Sequence, residues 1–213
     1  MRSIAIITAF CLVLPFHSQA EKVKGQIFFE NDTIEVMIHV PVNAFTDEPN
    51  LEKLQFKVVY YDSTGQKIKL RPDHARGFSF TYGTHKILML SVYNSLELGV
   101  FDPTGNNIFL HQIIDGKLKM FMYYNTAYYP LPNTLTGTLG IYHYQIDRCI
   151  LQKGDGELKR TRTSGFKKDM AEYFSDCPEL AEKIMNTEND EIDMKSIVDY
   201  YNLFCGLHQV SDH

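Results

Sequence analysis

The chain has 213 residues, with 21 Lys+Arg against 26 Asp+Glu for a formal net charge of −5, and 13% of it is Phe and Tyr with no Trp. That balance argues against nucleic acid or anionic lipid as the main partner, since both are bound by basic surfaces. The aromatic content is too high for a disordered chain and suits a packed, β-rich body.

The N-terminus opens Met1-Arg2-Ser3, runs uncharged from Ile4 to Phe16 and ends His17-Ser18-Gln19-Ala20. A basic start, an apolar stretch and small residues at Ser18 and Ala20 have the form of a secretory signal peptide over residues 1–20, cut after Ala20. The expectation is export to the periplasm or the extracellular space. The apolar stretch is short for a bilayer crossing and no second long apolar run follows, so no transmembrane span is expected after cleavage. Cys11 lies inside the signal, and the bulky Phe10 before it does not suit a lipid-attachment site. Removing residues 1–20 leaves 20 Lys+Arg against 26 Asp+Glu, a net charge of −6, and three cysteines: Cys149, Cys177 and Cys205. In an oxidising compartment two of them should pair and one should be left over.

Residues 21–162 read as an antiparallel β body. Gly25 to Glu30 and Thr33 to Val40 flank Asn31-Asp32, a hairpin pattern that Pro41 ends. A second hairpin runs from Leu54 to Tyr61, through Asp62-Ser63-Thr64-Gly65, to Gln66–Leu70. Gly77 to Gly83 carries an aromatic at every second position, and Lys86 to Val92 is apolar. Ile108–Ile114 and Lys117–Tyr124 flank Asp115-Gly116. Ile141–Lys153 and Glu157–Arg160 flank Gly154-Asp155-Gly156. Strand after strand with Gly/Asn/Asp turns predicts an antiparallel sheet, sandwich or partial barrel.

Residues 163–206 change character. Phe166, Met170, Tyr173 and Phe174, then Cys177, Leu180, Ala181 and Ile184, then Met194, Ile197, Val198, Tyr201, Phe204 and Cys205 recur at helical spacing. Asp176, with Glu179 three residues on, is the expected N-cap of the second helix. Gly206 is expected to stop the third, and residues 207–213 form a polar, frayed tail. The fold class is therefore α+β: an antiparallel sheet or sandwich-like body with a short three-helix C-terminal segment packed on it. Cys177 and Cys205 fall on the apolar faces of their helices, so facing helices would join them. The loop of about 28 residues so closed is worth roughly 3–4 kcal/mol in the chain-entropy model. The rival reading is an activated thiolate at a helix N-terminus, which no Cys-x-x-Cys motif or local Cys/His signature supports. Cys149 reads as a small residue tucked under the helices.

Motifs of catalysis are sparse. The sequence holds no phosphate loop, dinucleotide fingerprint, His-Glu-x-x-His or nucleophile elbow. Asp62-Ser63-Thr64-Gly65 and the oxygen-rich Asp102 to Asn107 read as turns, and no histidine has a partner at zinc-ligand spacing. His74 beside Asp73 and Arg76 reads as part of a polar loop, since adjacent residues of an extended chain point opposite ways. Asn31-Asp32-Thr33 matches a glycosylation sequon but occupies a tight turn. No cofactor, metal or catalytic residue is assigned. One stretch stands out: Met120 to Ile146 holds no Lys, Arg, Asp or Glu. It carries Tyr123, Tyr124, Tyr128, Tyr129, Tyr142 and Tyr144 among Asn, Thr, Gly and Pro, a composition suited to contact surfaces. Its middle, Asn125 to Gly140, reads as a long loop and candidate contact surface. The competing reading makes the flanking tyrosines sheet residues under a loop that merely caps the domain.

Several segments in fixed order carry a resemblance. They include Gly25-Gln26-Ile27 with Asn31-Asp32-Thr33-Ile34, Leu70-Arg71-Pro72-Asp73 with Gly77-Phe78, and Ile108-Phe109-Leu110 with Asp115 to Lys119. Leu151 to Leu158, Cys177-Pro178-Glu179-Leu180-Ala181 and Ile197 to Asn202 with Cys205 complete the set. In this order they resemble uncharacterised exported proteins of Bacteroidetes-type bacteria. The resemblance implies a Gram-negative envelope or secreted setting and supports the paired late cysteines; it brings no activity to transfer. The function expected is that of an exported envelope protein acting as a non-enzymatic binding or structural module, its partner an envelope protein or glycan. The alternative is a secreted hydrolase acting on glycan or peptide, its site assembled from distant loops.

Overall fold

The computed structural model describes residues 20–43, 46–96, 98, 106–132, 139–162, 164–188 and 193–205, with backbone alone over 128–132 and 139–145. Residues 1–19 of the signal-like segment, Asp102 to Gly105, Gly206 and the tail lie outside the described residues. Ala20 begins the first strand, paired with Pro41.

Among the described residues, ten strands form one hydrogen-bonded antiparallel sheet. They are β1 (Ala20–Phe28), β2 (Thr33–Pro41), β3 (Val58–Tyr61), β4 (Lys67–Leu70), β5 (Gly77–Tyr82), β6 (His85–Tyr93), β7 (Asn107–Ile114), β8 (Leu118–Pro132), β9 (Leu139–Lys153) and β10 (Leu158–Arg160). Their spatial order is β10-β9-β8-β7-β6-β5-β1-β2-β3-β4, so two meanders join where β5 lies beside β1. The expected hairpins all form. Between β1 and β2 the Phe29 N–H donates to the Asp32 carbonyl at 2.8 Å, while the Asp32 carboxylate takes the Thr33 N–H at 2.7 Å. Between β3 and β4, Asp62 Oδ1 accepts from Thr64 N–H, Thr64 Oγ1 and Gln66 N–H, which closes the turn on itself.

One detail of the second hairpin differs from expectation. Its first strand starts at Val58, because Leu51–Leu54 forms a single helical turn, α1, capped by the Asn50 side chain on the Lys53 N–H. Asn50 competes for that amide as a cap residue does, which ends the extended reading.

The sheet curls. Pro72, two residues past the end of β4, opens a 3-10 turn (Pro72–His74), and its carbonyl accepts from Ser91 Oγ of β6 at 2.7 Å. Along the ladder β4 and β6 stand five steps apart, about 24 Å on a flat sheet at ~4.8 Å per step. That bond therefore requires the sheet to roll until β4 approaches β6. The inner face of the roll carries Ile27, Ile38, Val58, Phe78, Phe80, Met89 and Phe109, all at most 2% exposed, with Leu54 of α1 filling the interior. Gly25 lies on this wall where a Cβ would sit 2.5 Å from both Ile38 Cδ1 and the Ser79 carbonyl oxygen. On the outer face, Ile108, Leu110, Phe121 and Ile150 pack with Tyr123, Leu158 and Leu98, so β7 is buried on both sides.

The C-terminal helices are α2 (Phe166–Tyr173), α3 (Pro178–Asn186) and α4 (Met194–Tyr200), the last continuing into a π turn (Tyr201–Cys205). They bury Met170, Phe174, Leu180, Ile184, Ile197 and Val198 against Leu118, Met120 and Leu151, on the inner-face side of β8 and β9. Full burial of a side chain such as Phe174 is worth roughly 1.5–3 kcal/mol. The Cys177–Cys205 disulfide forms, with Cα atoms 5.6 Å apart, and Cys149 packs beneath the helices as expected. Burial pushes the Cys149 thiol up to about 12.

The N-cap expectation at Asp176 is corrected. Cys177 occupies that position, and α3 begins with Pro178, whose fixed φ suits a first helical residue. Asp176 is instead held outward by two stronger partners: Lys153 Nζ of β9 at 2.5 Å and the Tyr201 hydroxyl at 2.6 Å. The Lys153 ammonium also donates to the Tyr173 carbonyl and lies 4.6 Å from the Tyr173 ring and 5.1 Å from that of Tyr201. This pairing latches the helices to β9, over the cluster they form with Leu118, Met120 and Leu151. No helix among the described residues is long and apolar enough to cross a membrane.

Candidate functional site

The expected loop over Asn125 to Gly140 is not a loop through most of its length. β8 and β9 pair in unbroken register from Leu118 opposite Lys153 to Pro132 opposite Leu139. They outrun their neighbours. β7 pairs with β8 only up to Met122, and β10 pairs with β9 only down to Ile150. Beyond those points a two-stranded ribbon continues; Asp147 and Arg148 lie at its base and the rest falls within the charge-free stretch.

The side of β8 that faces away from β9 is closed by a collar of side chains. At one end Asn202 acts as a substitute strand: its Oδ1 accepts the Leu118 N–H at 2.8 Å and its Nδ2 donates to the Leu118 carbonyl at 2.9 Å. Met120 and Met122 then pair with β7. Next, the fully buried Gln55 repeats the device. Its Oε1 accepts the Tyr124 N–H at 2.7 Å and its Nε2 donates to the Tyr124 carbonyl at 2.8 Å. Its own carbonyl accepts the Phe109 N–H at 2.9 Å, so the segment after α1 wedges between β7 and β8. Last, Glu52 of α1 takes the Thr126 N–H at 3.1 Å and the Thr126 hydroxyl at 2.5 Å. Buried backbone groups need partners, and these side chains supply them where β7 has ended. The amides reach one residue each, so alternate residues of β8 are satisfied from 118 to 126.

Past the collar the two edges of the ribbon differ. Pro130 and Pro132 fall on the same alternation as Leu118, Met122 and Tyr124, and so occupy the edge facing away from β9. They offer no N–H there, which blunts that edge against pairing. On β9 the Cys149 carbonyl accepts the Thr161 N–H at 3.2 Å, so odd-numbered residues face the β10 side. The backbone of Ile141, His143 and Gln145 faces that side too, contains no proline, and has no neighbouring strand among the described residues.

The six tyrosines separate. Tyr123 is 4% exposed in the outer-face core, and Tyr124 is half-buried, so these two are corrected from contact surface to packing residues. Tyr124 stacks on His111 with ring centroids 6.0 Å apart, and its hydroxyl lies 2.7 Å from His111 Nδ1. Burial drives the Tyr124 hydroxyl well above its ordinary range, with Asp147 adding to it, and lowers the His111 imidazole. Both are therefore neutral at physiological pH, and a hydrogen bond joins them. In the ribbon, the backbone sets Tyr129 opposite Tyr142, Ala127 opposite Tyr144 and Tyr128 opposite His143. The side chains of Tyr128, Tyr129, Tyr142 and Tyr144 lie outside the described residues.

A concavity of about 1100 Å³ opens on the outer face, lined by Phe29, Arg76, Tyr93, Lys119 and Phe121 together with His74. Asp73 pairs there with Arg71 at 3.9 Å. Lys119 pairs with Asp155 at 3.0 Å. Among the described residues no group of three or more His, Cys, Asp or Glu could hold a metal ion. No known family model matches the chain, and neither a curated protein nor a solved structure does.

Proposed function

We propose that this chain is an exported envelope protein of the Bacteroidetes type that acts as a non-enzymatic binding module. Its contact element is the β8–β9 ribbon, and its ligand is an extended segment of an envelope partner protein that adds a strand along β9. The observation that carries the reading is the asymmetry of the ribbon: prolines block the β8 edge, while the β9 edge from Ile141 to Gln145 keeps its donors and acceptors. An unpartnered edge is a template for another strand, and backbone hydrogen bonds supply affinity in this mode of recognition. A two-stranded ribbon is marginal in water on its own, so a third strand stabilises it. By composition the stretch, rich in Tyr, Asn and Thr, is of a kind suited to contact surfaces. Export rests on the signal-like residues 1–20, the order of the family-like segments and the disulfide, which persists in oxidising compartments.

The test replaces residues 128–143 with Asn-Gly, a two-residue turn that joins Ala127 to Tyr144 in register. In cells of the native host, chemical cross-linking of the full chain should give a discrete protein adduct in the envelope fraction. The shortened chain, with its disulfide intact, should give none. Adducts of equal yield from both chains, or residence of the full chain in the cytoplasm, would overturn the reading.

A further inference from the structure

A surface apart from the ribbon stands out by its charge. The chain is acidic overall, yet the outer face of β1–β6 is not. The ladder sets Lys22, His39, Val59 and Lys69 side by side in one row across β1 to β4. The next row runs Lys24, Met37, Tyr61 and Lys67, and Thr81 with Lys86 continues the sheet beyond β1. All five lysines are exposed. The carboxylates on this face are Glu35 and Asp62, and the five lysines outnumber them. A trough of about 540 Å³ runs over this face, with Lys24, Gln26, Tyr61, Thr81 and Lys86 along its walls together with both carboxylates. Its positive character registers on His39, which burial, Lys67 and Lys22 together hold below the ordinary imidazole range.

We propose that this face binds an acidic polysaccharide, a linear chain bearing carboxylate, sulfate or phosphate groups. Along a strand, alternate lysines stand about 6.6–6.8 Å apart, so the rows present charge at the spacing of a repeating polymer. Gln26 and Thr81 supply donors and acceptors for sugar hydroxyls between the charges. Two features separate this ligand from other polyanions. The Tyr61 ring already holds the Lys22 ammonium at 4.0 Å and the edge of His39 at 6.4 Å, so it is not free to stack a nucleic-acid base. The large hydrophobic side chains that stand exposed among the described residues, such as Tyr93, Leu203 and Phe204, lie elsewhere, so this face has no apolar wedge for a bilayer.

The test measures binding of a heparin fragment, as the sulfated probe, by calorimetry at low and physiological salt. The full chain should bind it, with affinity falling as salt rises. The triple variant Lys22→Ser, Lys24→Ser, Lys67→Ser should lose roughly tenfold or more, and Lys168→Ser with Lys195→Ser on the helices less than about twofold. Uncharged dextran should not bind. Equal losses from the two variant sets would show unspecific ion exchange and overturn the proposal. So would binding of single-stranded DNA or of phosphatidylglycerol vesicles as tight as that of heparin, or no heparin binding at low salt. Thermal unfolding of the triple variant at the wild-type temperature confirms that the comparison reads the surface and not the fold.

Discussion

Gln55→Leu removes the two-point contact through which the chain after α1 stands in for a missing strand. Leucine keeps the volume but neither accepts from the Tyr124 N–H nor donates to its carbonyl. Both groups sit beside a residue that is fully buried, so water replaces the lost bonds poorly. Each unsatisfied buried group costs ~1–3 kcal/mol, and leucine recovers part through its apolar surface, so the net loss should be roughly 2–4 kcal/mol. That is a large share of a typical domain's stability of about 5–15 kcal/mol. Urea unfolding at pH 7 with the disulfide intact measures it, and hydrogen exchange locates it: the Tyr124 and Thr126 amides should lose protection before those of β1 and β5. Gln55→Glu sharpens the test. The ionised carboxylate still accepts from Tyr124 N–H but faces the Tyr124 carbonyl, so its folded pKa is raised. Its stability relative to wild type should therefore be greatest at low pH, where the acid O–H can donate, and should fall as pH rises through that pKa. A Gln55→Leu protein within about 0.5 kcal/mol of wild type, with Tyr124 still protected, would refute the surrogate-strand account.

Four further outcomes follow from the same contacts. Cys177→Ala with Cys205→Ala should lose roughly 3–4 kcal/mol, read as a fall in Tm that reductant reproduces in the wild type. For Asp176, burial alone would raise the carboxyl, but the hydrogen bonds from Lys153 and Tyr201 and the Lys153 charge outweigh it and hold the group below its ordinary range. Its contribution is thus present above the unfolded carboxylate pKa of about 4 and is lost as pH falls through the lower folded value; Lys153→Met should cost roughly 1–3 kcal/mol at pH 7 and shrink this acid-dependent step in urea titrations. Gly25→Ala should cost about 1–3 kcal/mol in thermal unfolding, because its Cβ would press on the Ser79 carbonyl, a backbone atom that cannot swing aside. The Cys149 thiol, raised to about 12 by burial, should resist a thiol reagent at pH 7 in the folded protein and react once the chain unfolds in urea.

The strands and the disulfide were legible in the sequence because they rest on short-range signals. Asn31-Asp32, Asp62 to Gly65 and Asp115-Gly116 mark turns by their own backbone chemistry, and the helical spacing around Cys177 and Cys205 places both thiols on apolar faces. The ribbon was not legible. Asn125, Pro130, Pro132 and the glycines read as loop residues, and only the pairing register shows that the prolines sit where a strand edge needs no donor. The collar was hidden for another reason. Gln55, Glu52 and Asn202 are ordinary surface residue types, and nothing local marks them as partners of residues about seventy to eighty-four positions away. Asp176 shows the limit of a local rule: a capping pattern was present, but Lys153 and Tyr201 offered the carboxylate stronger contacts from distant segments. The basic outer face was masked by the net charge, since the lysines gather only when β1 to β4 align.

The most direct measurement of the ribbon's role is a proline scan read by cross-linking in the envelope of the native host. His143→Pro removes one outward-facing N–H from the β9 edge, while Pro130→Ala restores one on the β8 edge. The account predicts that His143→Pro abolishes the partner adduct with the fold and disulfide unchanged, and that Pro130→Ala leaves it at wild-type yield. An adduct that survives His143→Pro would contradict strand addition along β9.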